Sequence, residues 1–403
     1  MSDARNALLK AGIRPDIAMV PEDFDRHPGL FNHLGGTLDV ESWSIRAWDR
    51  SDYLTQCAAA TVTEGGGKSP RWLAFLERIM PDRLDRDYLQ RWFGSCLTGY
   101  TRDQVFTNFK GKGGNGKSVL IEVVAAVLGN YAQSVPCSVF IQHNTEQHPT
   151  GIATMKGRRF VYTTEVPAGK YLNEDLVKKL TGGDTASARK MREDFWDFVP
   201  EMKITIAGNE QLSLRVVNDA IVRRLHVVPF GVRIEGEEVD KRLKERLLLE
   251  RDGVLNWMVE GLGMWLQIGL APPDSVTKAT SEYFESQDVI RRWLSDRCDL
   301  GKAFEEPSSV LFFDWQVWSE GAGEPKISQT AFGTILENRG FTERRGYTRF
   351  RKGLRLKKSS EAAGVVVLPG SGVQPAPSPP PVDSEGGASA KPERGRKPFR
   401  FDS

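Results

Sequence analysis

The eight residues Gly111-Lys112-Gly113-Gly114-Asn115-Gly116-Lys117-Ser118 constrain this chain more than any other stretch. Ahead of them Val105–Phe109 reads as a strand, and behind them Ser118 to Leu128 is an unbroken helix former that stops at Gly129. In a glycine-rich loop between a strand and a helix, successive backbone N–H groups point inward and cradle phosphate oxygens, which a bulky side chain would obstruct. The loop feeds a helix N-terminus, whose partial positive charge favours the same anion. Lys117 then reaches the β- and γ-phosphates of a nucleoside triphosphate, ATP being the expected one, and the Ser118 hydroxyl holds Mg²⁺. A glycine-rich surface turn explains neither the Lys-Ser pair nor the flanking strand and helix.

The surrounding pattern sets the fold class. Between residues 101 and 235 strands alternate with helices, with Arg159–Thr164, Lys203–Ala207 and Leu225–Phe230 all strand-like. Alternation of this kind implies an α/β core with a mainly parallel sheet. Ahead of it lie a mixed N-terminal segment, 1–66, and a helical domain, 67–100, with Trp72, Leu76, Ile79, Leu89 and Trp92 at near-helical spacing. After it come a helical subdomain, 236–300, and a compact unit of helices and a β-ribbon, 301–358. The Pro-, Gly- and Ser-rich tail, 359–403, is expected to be disordered.

Net charge is +2 with 27% charged residues, so bulk electrostatics do not announce a nucleic-acid binder and the distribution of charge has to carry that argument. Cys57, Cys96, Cys137 and Cys298 are scattered without a Cys-x-x-Cys pair, which fits a reducing compartment and argues against structural zinc. Asp82, Asp85 and Asp87 follow Pro81 at a helix start, where acids are expected without any metal. His143 and His148 read as surface or packing histidines. No apolar run approaches the ~18 residues of a membrane span and no signal peptide opens the chain, so a soluble, cytoplasmic protein is expected.

Hydrolysis needs a carboxylate for water or metal and a polar sensor near the γ-phosphate, at the C-terminal ends of strands. Glu165 follows the strand 159–164 and is the candidate catalytic or metal-facing carboxylate; Asn209 follows 203–208 and could orient water. Arg223 and Arg224 precede the strand 225–230, from which one could reach a neighbouring subunit's γ-phosphate, although paired arginines usually form surface salt bridges. Asn173 to Asp184 reads as a capped helix closed by Gly182-Gly183. The basic stretch Arg189-Lys190-Met191-Arg192, next to Phe195, Trp196 and Phe198, fits either a nucleic-acid-facing hairpin or a solvated turn over core aromatics.

Residues 341–358 hold eight basic residues against one acid, with Phe and Tyr interleaved. They follow a short helix that ends at Gly340, and helix then basic hairpin is the layout of a winged helix. Arg344, Arg345, Arg349, Arg351 and Lys352 are its candidate DNA contacts, which would make binding salt-sensitive.

Together these stretches resemble superfamily 3 helicases, in the branch of phage and plasmid primase–helicases shared with poxvirus primase–helicases. The resemblance rests on the loop 111–118, Glu165 after its strand, Lys-Lys-Leu-Thr-Gly-Gly-Asp at 178–184, Asn209, and Ala-Ile-Val-Arg-Arg-Leu at 220–225; it covers roughly residues 30–300. It implies an AAA+-related fold, a hexameric ring on single-stranded or forked DNA, and hydrolysis between subunits. Lys117 and Ser118 would stand on one side of that interface and Arg223 or Arg224 on the other. The channel hairpin would fall near 187–196, making Arg189, Lys190 and Arg192 DNA-contact candidates. Relatives often show paired acids at the second motif, whereas Thr164 precedes the single Glu165, which leaves metal ligand and base unassigned. No primase module is expected in this chain, and a separate primase or polymerase would be its partner. The resulting expectation is an ATP-dependent helicase replicating a phage, plasmid or related mobile element. The alternative is an ATP-switched origin-binding protein that assembles without processive unwinding; a small-molecule kinase explains neither the arginine pair nor the basic wing.

Overall fold

The computed structural model describes residue 19 and residues 23–63, 65–143, 150–189, 195–215, 217–324, 326–344, 346 and 348–357. Packing divides the chain into a unit up to Arg355 and a second from Leu356. The first is described here; residues 359–403, expected to be a disordered tail, lie outside the described residues, as does His148.

The chain begins with a small antiparallel sheet of β1 (Leu30–His33), β2 (Gly36–Asp39) and β3 (Ser44–Arg46). Helix α1 (Pro70–Ile79) starts with proline at its first position, and α2 (Arg83–Ser95) is capped by Asp82, which accepts from the Leu84 N–H. Asp85 is buried and accepts from the Ser275 hydroxyl. Asp82 thus serves as helix cap and Asp85 as a packing partner of Ser275.

The core then runs β4 (Phe106–Lys110), α3 (Lys117–Leu128), β5 (Ala132–Ser134), α4 (Thr150–Ala153), β6 (Phe160–Thr163), α5 (Glu174–Thr181), β7 (Ala186–Ala188), β8 (Trp196–Phe198), β9 (Lys203–Gly208), α6 (Asp219–Val222) and β10 (Leu225–Pro229). Five of these strands form one sheet in the order β10-β4-β9-β6-β5, every neighbour parallel. All six residues of β9 are buried, as a strand covered on both faces requires. This is the α/β core with a parallel sheet that the alternation of strands and helices implied. Because the strands are parallel, their C-terminal ends share one edge, and the glycine loop leaves β4 there.

Helix α7 (Leu243–Leu248) and the long α8 (Arg251–Ile268) follow. Helix α8 lies directly on α2: a Cβ on Gly94 would fall 2.2 Å from the Leu262 nitrogen, and one on Gly261 2.0 Å from the Gln90 carbonyl. Only two glycines permit so close a crossing. The helical segments before and after the core therefore make one layer, with Trp72 and Phe93 against Trp257 at ring distances of 5.4 and 6.5 Å. Two buried cations tie this layer to the sheet: Arg159 donates to the Leu97 and Leu30 carbonyls at 2.6 and 2.8 Å, and Lys203 donates to the Thr98 carbonyl. Both meet the carbonyls just past α2, where cations are favoured.

Helix α9 (Asp274–Gln287) covers β10, its Thr280 hydroxyl accepting from the Val227 N–H at 2.9 Å. Beyond it come α10 (Val289–Arg297), β11 (Cys298–Pro307), α11 (Ser308–Gly321), α12 (Gln329–Asn338), β12 (Glu343–Arg344) and β13 (Phe350–Leu356), with sheet order β11-β13-β12. Helix, strand, two helices and a hairpin give the winged-helix-like layout. Its aromatic core draws in α10, which lies before residue 301: Trp293 packs 5.4 Å from Phe332 and 6.1 Å from Trp315 and donates to Asp314 at 2.8 Å. Among the described residues no helix is long and apolar enough to cross a membrane.

Candidate functional site

The glycine loop is built as only glycine allows. Gly113, Gly114 and Gly116 have φ of 96°, 62° and 77°, in the left-handed region. A Cβ on Gly116 would lie 2.5 Å from Ile79 Cγ2, so α1 backs the loop, and one on Gly111 would lie 2.8 Å from Lys117 Nζ. The cradle is one that side chains would fill. Lys117 is buried in the first turn of α3, and its Nζ donates to the Gly111 carbonyl at 2.9 Å and to Asn115 Oδ1 at 3.2 Å. Burial pulls its pKa down, because the charged ammonium is held with little solvent around it. Ser118 and Lys112 are exposed beside it.

A second segment straps the loop. After β10 the Phe230 N–H donates to the Lys110 carbonyl at 2.7 Å and the Ile234 N–H to the Gly114 carbonyl at 2.8 Å, while Asn115 Nδ2 donates to the Val232 carbonyl. Sequence reasoning missed this strap, since a backbone contact between residues 114 and 234 leaves no side-chain signature.

Asn209 follows β9, the strand next to β4, and a Cβ on Gly113 would stand 3.5 Å from its Oδ1. Glu165, exposed two residues beyond β6, lies one strand further along the same edge. Loop, asparagine and carboxylate thus follow three neighbouring strands, β4, β9 and β6, of one sheet. Such an arrangement can hold a polyphosphate, ligate a cation through Ser118 and Glu165, and order a water.

The two arginines after α6 part company. Arg223 is exposed, whereas Arg224 is 7% exposed, donating to the Ala220 carbonyl at 2.8 Å and to Gln104 Oε1 at 3.1 Å. The sequence could not separate them, because the difference lies in which side of one turn faces Gln104.

Strands β7 and β8 pair antiparallel, from Ala186–Phe198 through Ala188–Trp196. Arg189 lies just past β7 with its guanidinium 4.7 Å from the exposed Phe195 ring; Lys190 and Arg192 lie outside the described residues. On the wing, Arg349 is 73% exposed near Glu343 and Lys352 is exposed, while Arg344 pairs with Glu305 at 3.0 Å over Phe350. Arg345 lies outside the described residues. Arg351, expected on the DNA-facing surface, is turned inward instead: it is 4% exposed and bonded to Glu337 at 3.2 Å and Glu343 at 3.3 Å. Glu305 and Glu337 fall outside the 341–358 window, so the ribbon looked more basic in sequence than it is in space.

Fold and loop together define an α/β protein with a phosphate-loop-type strand, loop and helix in a parallel sheet. A sequence family described as a family of unknown function (DUF5906) matches residues 109–224. A candidate helicase of Acanthamoeba polyphaga mimivirus is 26% identical over 306 residues, 70% of this chain and 32% of that protein. A candidate helicase of Invertebrate iridescent virus 3 is 27% identical over 248 residues, covering 58% of this chain and 26% of that one. A candidate primase of African swine fever virus is 22% identical over 260 residues, covering 59% and 26%. Among solved structures, the apo C-terminal region of NrS-1 is 12% identical with a TM-score of 0.44, covering 74% of this chain and 77% of that one. The chain is thus similar to helicase- and primase-named proteins of large DNA viruses, as its resemblance to superfamily 3 primase–helicases implies. It spans about a third or less of the length of the curated relatives it matches.

Proposed function

We propose that this chain is an ATP-hydrolysing motor that translocates on DNA and unwinds it during replication of a phage, plasmid or related mobile element. The observation that carries the reading is the glycine loop itself: three left-handed glycines and a buried Lys117, with Asn209 facing Gly113 at the open edge of a parallel sheet. On this reading Lys117 exchanges the Gly111 carbonyl and Asn115 Oδ1 for the β- and γ-phosphate oxygens of ATP, which the loop N–H groups cradle. Asn209 orients the attacking water. Ser118 and Glu165 are the side chains offered to Mg²⁺, which when bound supplies charge neutralisation at the phosphate oxygens.

Arg223 is the finger, offered to the γ-phosphate held by a neighbouring subunit, so hydrolysis needs assembly, with a hexameric ring as the expected form. The β7–β8 hairpin with Arg189, and Arg344, Arg349 and Lys352 of the wing, face the DNA phosphates; a separate primase or polymerase completes the replication machinery.

The test is unwinding of a forked DNA by the purified protein, with and without ATP and Mg²⁺. Unwinding that requires both, and hydrolysis lost in Lys117→Ala without loss of fold, is the expected result. Wild-type hydrolysis by that variant would overturn the site assignment.

A further inference from the structure

Arg224, Gln104 and the turn at Gly182 form a connected cluster that the hydrolysis reading leaves without a role. Arg224 Nη2 donates to Gln104 Oε1 at 3.1 Å, and Gln104 Nε2 donates to the Gly182 carbonyl at 3.4 Å. A Cβ on Gly182 would lie 2.8 Å from the Lys178 carbonyl, 3.2 Å from Asp184 Oδ2 and 3.8 Å from Arg224 Nη2, so the turn has no room for a side chain. Among the described residues Gln104 is one of the few non-glycine residues with a left-handed backbone, at φ 55°. That conformation is unfavourable for a glutamine and persists where surrounding contacts over-determine it. The main chain joins in, with the Phe106 N–H donating to the Arg224 carbonyl at 2.8 Å and the Arg224 N–H to the Ile221 carbonyl at 3.1 Å.

A buried guanidinium is a poor choice for stability alone. Burial and neighbouring Arg223 disfavour its charge, Asp184 only partly offsets them, and its Nε is buried without a partner. What the arrangement does give is direction. Residue 223 follows α6 on the same turn, so anchoring the side chain of 224 inward fixes the backbone from which 223 projects outward. It also connects three segments: the entry to β4, the turn carrying Arg223, and the 178–184 stretch that runs into the β7–β8 hairpin.

We propose that Arg224 is the positioning residue for the Arg223 finger, seated by Gln104 and the Gly182 turn. The proposal rests on the intersubunit reading given above. Its consequence is that the arginine pair has divided labour: one guanidinium leaves the subunit and the other stays behind to aim it.

The experiment compares Arg223→Ala, Arg224→Lys and Gln104→Leu in the full chain, each with a melting curve, binding of a fluorescent ATP analogue, and steady-state hydrolysis. Arg223→Ala should lose about a thousandfold in kcat with nucleotide binding intact. Arg224→Lys and Gln104→Leu should melt somewhat lower yet stay folded at the assay temperature and keep KM near wild type while kcat falls about tenfold or more, because a finger displaced by an ångström no longer meets its phosphate. Mixing either variant with Lys117→Ala subunits should recover hydrolysis, since an intact loop then meets an intact finger across some interfaces; a defect confined to the variant's own site would not recover. Free guanidinium should restore Arg223→Ala, whose lost group is exposed, and leave Arg224→Lys unchanged. Wild-type kcat in folded Arg224→Lys and Gln104→Leu, or a loss that mixing does not recover, overturns the positioning role. If Arg223→Ala itself hydrolyses at the wild-type rate, the intersubunit finger fails instead. Should Arg224→Lys not fold, Gln104→Leu alone decides.

Discussion

Lys117 Nζ lies 3.2 Å from Asn115 Oδ1, and the same asparagine gives its Nδ2 to the Val232 carbonyl. One amide therefore holds the loop cation with one atom and the strap after β10 with the other. Asn115→Ala removes both links and leaves the Val232 carbonyl and the Lys117 ammonium each short of a partner. Unfolding without nucleotide should become easier by about 1–3 kcal/mol, read by urea denaturation. An unchanged midpoint would show that the strap does not depend on this side chain.

The contact of α2 with α8 makes a sharper prediction. Gly261→Ala adds a methyl 2.0 Å from the Gln90 carbonyl, an atom of backbone that cannot swing aside. Overpacking of this kind costs about 1–3 kcal/mol or more. Far-UV circular dichroism across a thermal ramp should register the loss, whereas Gly321→Ala, at a glycine with open space around its Cβ position, should leave the transition in place.

His226 in β10 is mostly buried, accepts or donates a hydrogen bond with the Tyr88 hydroxyl at 2.8 Å, and has its pKa pushed down by burial to about 4. Its folded pKa lies below the unfolded value, so the unfolded chain binds the extra proton first. The group's contribution is fully present above pH about 6.5 and is lost as the pH falls through about 4. Across that window it removes about 3 kcal/mol. His226→Gln should flatten this part of the stability-versus-pH curve relative to wild type; parallel curves for the two proteins would contradict the assignment.

The wing arginines should separate by assay. Arg351→Ala breaks a buried group bonded to two glutamates and should lower the melting temperature with a modest effect on DNA affinity. Lys352→Ala, at an exposed position, should leave melting alone, weaken binding across sequences and lower the salt slope by about 1. Fluorescence anisotropy on single-stranded DNA at several salt concentrations distinguishes the two. Equal salt slopes for wild type and Lys352→Ala would remove this lysine from the interface.

Much of the core could be read from the chain because its signals are local. The loop, its strand and helix, the Asn173 cap and the buried strand 203–208 each announce themselves within a dozen residues. Pairings across the chain were harder. Nothing in the residues around Arg351 shows that Glu337 reaches back to it, and nothing near Arg224 points to Gln104, which stands 120 residues away. That the helical segments at 67–100 and 236–300 pack on each other was equally hidden, because a glycine-to-backbone contact carries no hydrophobic pattern.

That last contact has a consequence for how this protein can be cut. Gly94 and Gly261 close a seam between chain that precedes the glycine loop and chain that follows it. A fragment starting at residue 101 would keep every residue of the phosphate cradle, yet strip the partners of Trp257 and bare the side of the loop that Ile79 supports. A piece that keeps both the seam and the support behind the loop must therefore begin upstream of Pro70, where that supporting helix starts.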